Sequence, residues 1–162
     1  MKCVECGHAM KPTIENHRYE AVAGLAVTLV GMRVNRCPEC GEVEVEIPNL
    51  EGLHRALADL VIRKRARLGA AEIRFLRKYL GLSGSDFAER IGVDRATVSK
   101  WETGGQPMGT TADRLLRLMV AHEKPIEAYP IKTLTEVARD DAAPSRIGLR
   151  FAKKEGWTAE AA

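Results

Sequence analysis

The distribution of apolar residues along the chain predicts helices from residue 49 onwards. Between residues 50 and 61 apolar side chains recur at the spacing of one helical face, and Asn49 stands where an N-cap is expected. The residues of this face are Leu50, Leu53, Leu57, Leu60 and Val61. We expect a linker helix within residues 49–69, and the basic run of residues 63–67 marks its end.

Residues 70–122 carry the pattern of four short helices. The first is predicted over residues 71–79, and Gly81 ends it. Its apolar stripe consists of Ile73, Leu76 and Leu80. Ser83 and Asp86 have the spacing of a capping box, which opens a second helix. This helix is expected to turn Phe87, Ala88 and Ile91 inward.

A tight turn at Gly92 and Val93 separates the second helix from the third. Asp94 is expected to cap a helix over residues 95–103, which Gly104 stops. Residues 110–113 then open a last helix. Its apolar residues are Leu115, Leu116, Leu118 and Met119.

Strand-like patterns dominate residues 1–48. β-branched and apolar residues cluster in three runs, and we expect a turn at Gly31 between two of them. The runs are residues 19–22, 26–30 and 32–34. Residues 42–47 then alternate between acidic and apolar, so that one side of a strand is apolar and the other acidic.

These patterns together predict an α+β protein. A small β-rich domain is expected at residues 1–48, followed by the linker helix and an all-α domain at residues 70–125. The pattern fades after Pro125 and shows no clear periodicity. We expect residues 126–162 to form a partly flexible C-terminal extension.

All the cysteines belong to two Cys-x-x-Cys pairs, each followed by a glycine, with 30 residues between the pairs. A two-residue spacer lets both thiolates of a pair reach one ion at about 2.3 Å, and four thiolates complete a tetrahedral shell. A domain of about 40 residues usually needs a metal or disulfides to stay folded. We expect one structural Zn²⁺ per chain, bound by Cys3, Cys6, Cys37 and Cys40.

Other interpretations of the cysteines remain open. The same four thiolates can hold iron, and four buried cysteines without a metal are a further alternative. His8 lies close enough in sequence to compete as a ligand. With four cysteines available, we expect His8 to stay off the ion.

Composition and charge narrow the class of protein. The chain has 162 residues, of which 45% are hydrophobic and 29% charged, and its longest apolar runs are far shorter than the about 20 residues of a membrane-spanning helix. We expect a cytoplasmic protein. The net charge of +3 is unevenly distributed. Residues 63–100 hold ten Lys and Arg against four Asp and Glu, whereas residues 38–54 hold five Glu and neither Lys nor Arg.

The length and turn of residues 83–104 fit a helix-turn-helix, in which the second helix enters the major groove of DNA. On that helix we expect Val98 and Trp101 to be buried. The remaining surface, with two serines of the preceding helix, is expected to bind DNA, and a solvated face without a ligand is the alternative. The expected DNA-binding residues are Arg95, Ala96, Thr97, Ser99, Lys100, Ser83 and Ser85.

Residues 82–104, LSGSDFAERIGVDRATVSKWETG, closely resemble the Cro/repressor (XRE) type of helix-turn-helix. Combined with MKCVEC at residues 1–6 and RCPECG at residues 36–41, the order of motifs resembles the MqsA antitoxin family with its YgiT-type zinc finger. The likeness covers residues 1–125. Gly84 departs from the pattern, since many repressors of this type have Gln there.

The resemblance implies an antitoxin of a type II toxin–antitoxin system. Such a protein neutralises a ribonuclease-like toxin, forms a homodimer and represses its own operon at a palindromic site on double-stranded DNA. Toxins of this kind are typically basic, so the acidic residues Glu42, Glu44 and Glu46 are candidates for the toxin-binding face. A solvated acidic strand is the alternative for these three residues.

Two other classes of function are weighed against the antitoxin. One is a zinc-containing regulator of the same type without a toxin partner. The other is an enzyme, which we do not expect, because the sequence shows no Ser/His/Asp set and no glycine-rich phosphate loop. The four histidines are scattered without ligand spacing.

Overall fold

The computed structural model describes residues 1–22, 24–123, 137–138, 141 and 146–160. The chain divides into two compact units. The first contains residues 1–21, 26–53 and 146–162, and the second contains residues 22–25 and 54–145. Strands form the first unit and helices dominate the second, so the predicted α+β fold class is confirmed.

The first unit is built around a five-stranded sheet. Its central strand is β2 (Ala26–Arg36), which pairs antiparallel along one edge with β1 (Lys11–Tyr19). The other strands are β3 (Val43–Val45), β4 (Arg146–Ala152) and β5 (Gly156–Glu160). β4 runs parallel to the first residues of β2, β3 pairs antiparallel with its last residues, and β5 pairs antiparallel with β4.

The turn predicted at Gly31 is wrong, because β2 continues through this residue as a single strand. The register with β1 shifts here: Glu15 lies opposite Met32 and His17 lies opposite Leu29. Gly31 has a positive φ of 66°, and its N–H donates to Asn16 Oδ1 at 3.2 Å. The glycine therefore makes a β-bulge, a role that its conformational freedom permits.

The end of the chain belongs to the same sheet as its beginning. Leu149 of β4 is fully buried beside Leu29 of β2, and Trp157 of β5 packs with Phe151 at a ring-centroid distance of 5.4 Å. The indole N–H of Trp157 donates to the carbonyl of Pro48 at 3.0 Å. These contacts make the C-terminal strands part of the core of the first unit.

The predicted C-terminal extension therefore needs correction for residues 146–160, which form two strands. The sequence pattern did not reveal them because Ile147, Gly148 and Leu149 are buried in succession, without the alternation of a half-exposed strand. The parallel partner of β4 is also far away in the chain. Residues 126–136, 139–140, 142–145 and 161–162 of the predicted extension lie outside the described residues.

Among the described residues, five helices follow the predicted order. They are α1 (Leu50–Arg63), α2 (Ala70–Tyr79), α3 (Gly84–Ile91), α4 (Arg95–Thr103) and α5 (Thr110–Glu123). α1 begins in the first unit and continues into the second. Its predicted N-cap is confirmed, since Asn49 Oδ1 accepts a hydrogen bond from the N–H of Gly52 at 3.0 Å.

Local capping sets the limits of the two central helices as predicted. Ser83 and Asp86 make the two reciprocal bonds of a capping box at the start of α3. Gly92 ends α3 in the left-handed conformation, and Gly104 does the same for α4. Both glycines satisfy the steric demand of this conformation because they lack a Cβ atom.

A buried ion pair within α5 is hydrogen-bonded to the end of α1 and to the segment that follows it. Arg117 and Asp113 are both fully buried, and Arg117 Nε donates to Asp113 Oδ1 at 2.6 Å. The rest of the guanidinium donates to the carbonyls of Ile62, Lys64 and Ala66. Asp113 also accepts from the backbone N–H of Leu68 at 2.7 Å. This network satisfies the backbone groups left free where α1 ends.

Candidate metal centre and nucleic-acid interface

The two cysteine pairs fold into equivalent turns. In the first, the N–H of Gly7 donates to the carbonyl of Cys3 at 3.0 Å, and in the second the N–H of Gly41 donates to that of Cys37 at 3.1 Å. Both glycines have a positive φ, 75° and 78° respectively. The glycine that follows each pair thus has a conformational role.

These turns bring all the cysteine sulfurs together. The four Sγ atoms lie within 4.8 Å of one another, at 3.6 Å between Cys3 and Cys40 and 3.3 Å between Cys6 and Cys37. Cys3 and Cys37 are buried, whereas Cys6 and Cys40 are exposed. Tetrahedral zinc with bonds of about 2.3 Å places its sulfurs about 3.8 Å apart, so the cluster is close to the dimensions of a four-thiolate site.

The electrostatics of the cluster also fit a cation. The backbone N–H of Cys40 donates to the sulfur of Cys37 and lowers the pKa of that thiol to about 6. For Cys40, the N–H of Glu42 lowers the pKa, but the side-chain contact with Cys6, burial and the contacts with Cys37 and Cys3 outweigh it and raise the pKa to about 12. The neighbouring thiols thus favour ionisation of Cys37 and oppose that of Cys40, and a bound cation would stabilise all four thiolates together.

The expected DNA-binding residues of α4 lie largely on its exposed side. Val98 and Trp101 are buried as predicted. The exposed residues of the expected set are Arg95, Ala96, Ser99 and Lys100. A helix with apolar residues on one side and polar residues on the other buries its apolar side and presents its polar side to the solvent.

Thr97 differs from the rest of the expected set. It is only partly exposed, and its hydroxyl donates to Asp94 Oδ2 at 2.9 Å. Its backbone N–H donates to Asp94 Oδ1 at 2.8 Å, and this bond lowers the pKa of the Asp94 carboxyl. The hydroxyl hydrogen of Thr97 is therefore engaged in the helix cap.

The two serines expected to bind DNA lie at the beginning of α3. Ser83 is exposed and is the N-cap, with its Oγ accepting from the N–H of Asp86 at 3.1 Å. Ser85 is exposed in the first turn. The Ser83 side chain also hydrogen-bonds the Asp86 carboxyl and lowers its pKa, so the hydroxyl group of Ser83 is engaged in the helix cap.

A salt bridge that was not predicted holds α4 against α2. Arg77 Nε donates to Glu102 Oε1 at 2.5 Å and its second nitrogen to Oε2 at 3.0 Å, and the side chains of both are mostly buried. Arg74 donates to the backbone carbonyl of Glu102. Neither Arg74 nor Arg77 stands out in the sequence, because basic residues on a helix are usually solvated. The contacts fix the C-terminal part of α4.

The acidic residues considered for toxin binding do not form a uniform face. The strand β3 contains only three residues, so Glu42 and Glu46 flank it and are exposed. Glu44 is half-buried, with one carboxylate oxygen inaccessible and without a hydrogen-bond partner. Val43 has 36% of its surface exposed, contrary to a strict alternation. The short strand is the physical reason for this departure.

Residues 73–119 match the helix-turn-helix family model. The matched segment contains α3, α4 and their connecting turn, so the chain carries a helix-turn-helix domain. This domain supports a DNA-binding transcription regulator. No curated protein and no solved structure matches the chain. Within the part of the chain that the structure describes, no helix combines the length and apolar character needed to cross a membrane.

Proposed function

We propose that this protein is a transcriptional repressor that binds its operator through α4 and, as the antitoxin of a type II system, neutralises a ribonuclease-like toxin. The DNA-binding role rests on the separation of buried and exposed residues on α4, within the matched helix-turn-helix domain. Val98 and Trp101 are buried, and Arg95 and Lys100 stand on the exposed side. The proposed roles are those of a binding protein, without catalysis.

Different residues of the two helices suit different DNA contacts. Arg95 and Lys100 can donate to guanine O6 and N7 or to phosphate oxygens, and Ser99 can donate to either. The methyl group of Ala96 suits contact with a thymine methyl group. Ser83 and Ser85, at the start of α3, suit phosphate contacts. Thr97 would contribute chiefly its methyl group while its hydroxyl stays on Asp94.

The salt dependence of binding tests the DNA-binding role. Lys100→Ala should weaken binding to the upstream region of its own gene and reduce the slope of log K against log salt by about one if Lys100 contacts a phosphate. Lys154→Ala, which removes an exposed lysine from the first unit, is the control and should leave the slope unchanged. Wild-type protein that binds no duplex at low salt would overturn the proposal.

We further propose that the regulator is a homodimer on a palindromic operator. Exposed apolar side chains on α5 support self-association, because Leu115 and Leu118 have 37% and 41% of their surfaces exposed. Two-fold symmetry would place the half-sites one helical turn, about 34 Å, apart. A nuclease footprint should then show two symmetric half-sites. Protection of a single asymmetric half-site would contradict the dimer.

The antitoxin role rests on the resemblance of the cysteine motifs and the helix-turn-helix to the MqsA family. Co-expression tests it directly: the adjacent reading frame should encode a protein that is toxic alone and harmless with this chain. A neighbour that is harmless alone would favour the zinc-containing regulator without a toxin partner.

The two exposed glutamates define a sharper test of the toxin-binding face. Glu42→Lys with Glu46→Lys should abolish toxin capture in a pull-down if a basic toxin binds there. The matched control is Glu20→Lys with Glu155→Lys, which reverses two exposed charges elsewhere in the first unit. Glu44 is left unchanged because its half-buried carboxylate would make misfolding a second explanation. Undiminished capture by the first pair would exclude this face.

A further inference from the structure

The helical unit contains a cavity beside the recognition helix. It has a volume of about 360 Å³ and is lined by the connection between α1 and α2, by the C-terminal end of α4 and by the loop that precedes α5. Sites for small molecules in proteins have volumes of about 300–1,000 Å³. The cavity is thus large enough for a small organic ligand.

Two buried donors in the wall of this cavity lack an acceptor. Among the described residues, four buried side-chain nitrogen or oxygen atoms have no hydrogen-bond partner, and two of the four belong to cavity-lining residues. They are Trp101 Nε1 and Arg67 Nε. Trp101 has only 5% of its surface exposed. Buried donors without a partner are rare in folded proteins, and each calls for an explanation such as a bound water or ion.

Arg67 and Asp141 both line the cavity and bring opposite charges to its wall. Arg67 is half-buried, and its ionic contact is to Asp141 Oδ1 at 3.9 Å. That contact is weak because the Asp141 side chain is 98% exposed. Arg67 therefore has room for a better anionic partner.

The remainder of the wall is mostly apolar, with Gln106 as a further polar residue. Leu68, Ile73, Pro107 and Met108 line the cavity together with the indole ring of Trp101. Such a wall gains free energy by covering a hydrocarbon group rather than a hydrated inorganic ion. The ligand should therefore combine one charged group with an apolar body.

We propose that this cavity binds a small carboxylate with an aromatic or branched aliphatic body, held by Arg67 through its carboxylate and packed against Trp101. Arg67 supplies a planar, permanently charged donor, which suits a carboxylate. Trp101 supplies a flat apolar surface. The ligand would contact the buried side of α4, whose exposed side is the proposed DNA-binding surface.

Titration of the ¹⁵N-labelled protein, followed by the indole N–H signals, tests this site. The chain has two tryptophans, and Trp157 already donates to the carbonyl of Pro48, so its signal serves as an internal control. Benzoate, phenylacetate and 4-methylpentanoate are the probes. We expect at least one to shift the Trp101 indole signal saturably in the millimolar range while the Trp157 signal stays in place.

Two comparisons separate recognition of the carboxylate from general apolar binding. Benzamide and phenylacetamide keep the ring but lack the charge, so they should bind at least about tenfold more weakly than the acids, as the loss of a charge-assisted hydrogen bond predicts. Arg67→Gln should remove this difference. Arg65→Gln, which removes an exposed arginine two residues away, should preserve it.

A Trp101 signal that does not respond to any of the three acids would overturn the proposal, as would equal affinity for the acids and the amides. The titration is done without DNA, so its outcome does not depend on which duplex the protein binds. A failure of operator binding with a normal Trp101 response would count against the proposed function and leave the ligand site standing.

Discussion

At the scale of single residues, buried charges of the helical unit carry structural roles that exposed charges rarely have. Arg117 is fully buried and uses its guanidinium on Asp113 and on three backbone carbonyls. Removing a charged group from water is unfavourable, so such a residue stabilises the fold only when every donor finds a partner. In the Arg117 network every guanidinium nitrogen has an acceptor, with the carbonyls supplied by the end of α1 and the segment after it.

Arg117→Met should therefore be strongly destabilising. It leaves the Asp113 charge buried without its partner and frees three carbonyls, so we expect a loss of about 3–5 kcal/mol in the free energy of unfolding. Urea titration followed by far-UV circular dichroism measures this loss. Arg65→Met, at an exposed position, is the control. Adding Asp113→Asn to Arg117→Met should recover part of the stability, and equal stability of Arg117→Met and the control would refute the role.

A second residue-scale prediction concerns His54. Burial lowers the pKa of its imidazole from the ordinary value of 6.5, where it packs edge-on to Phe75 at a centroid distance of 6.3 Å. The folded state then binds fewer protons than the unfolded state, so the contribution of His54 to stability is complete above pH 6.5 and is lost as the pH falls below it.

Thermal unfolding of the helices at about pH 7.5 and about pH 5.5 checks this sign, since the two values bracket the histidine range. His54→Gln should lose less stability on acidification than the wild type. His122→Gln, at an exposed position, should behave as the wild type does. The same loss in all three proteins would show that other groups determine the pH dependence.

At the scale of elements, helices and strands in this chain depend on different information. The limits of α3 and α4 are set by Ser83, Asp94 and two glycines within a few residues of each helix end. The strand β4, by contrast, is defined by pairing with β2 more than 100 residues earlier, where Ile147 lies beside Val27 and Leu149 beside Leu29. Its stability must therefore come from packing in the first unit.

Leu149→Ala tests this dependence. Leu149 is fully buried in β4, so truncation should leave a cavity and lower the free energy of unfolding by about 2–5 kcal/mol. The fluorescence of Trp157, measured in a Trp101→Phe background, reports the first unit. Thr158→Ala, at an exposed position of β5, should have little effect. A small effect of both substitutions would mean that β4 adds little to the core.

At the scale of the whole molecule, the chain has two units with separate sources of stability. The second has its own apolar core, with Leu76, Phe87 and Leu116 fully buried. The first unit has a sheet that draws on both ends of the chain, and next to its cysteine turns the apolar cluster is small, consisting of Cys3, Met10 and Cys37. That end of the first unit depends most on the proposed zinc ion.

Metal removal should therefore affect the units unequally. The purified protein should contain one zinc per chain by elemental analysis, and a chelator or Cys37→Ser should destabilise the first unit while the helices of the second persist. Separate melting transitions, followed by Trp157 fluorescence and by far-UV circular dichroism, measure the two. Restoration by added zinc is the control for the chelator. Unchanged stability of the first unit without metal would contradict a structural ion.

The features that could be predicted from the sequence are those set by local hydrogen bonds and short spacings. Helix caps, left-handed glycines and Cys-x-x-Cys turns are complete within about six residues, so the limits of α4 and the form of both cysteine turns were predictable. The burial of Trp101 was predictable for the same reason, since helical spacing places it on the side of Val98.

The features that depend on partners distant in the chain could be seen only in the tertiary structure. The return of residues 146–160 to the N-terminal sheet, the burial of Arg117 against three carbonyls and the half-buried position of Glu44 have no local signal. Each depends on a surface formed by residues elsewhere in the chain. The energy of such contacts exists only once the chain has folded, and a pattern of neighbouring residues does not contain it.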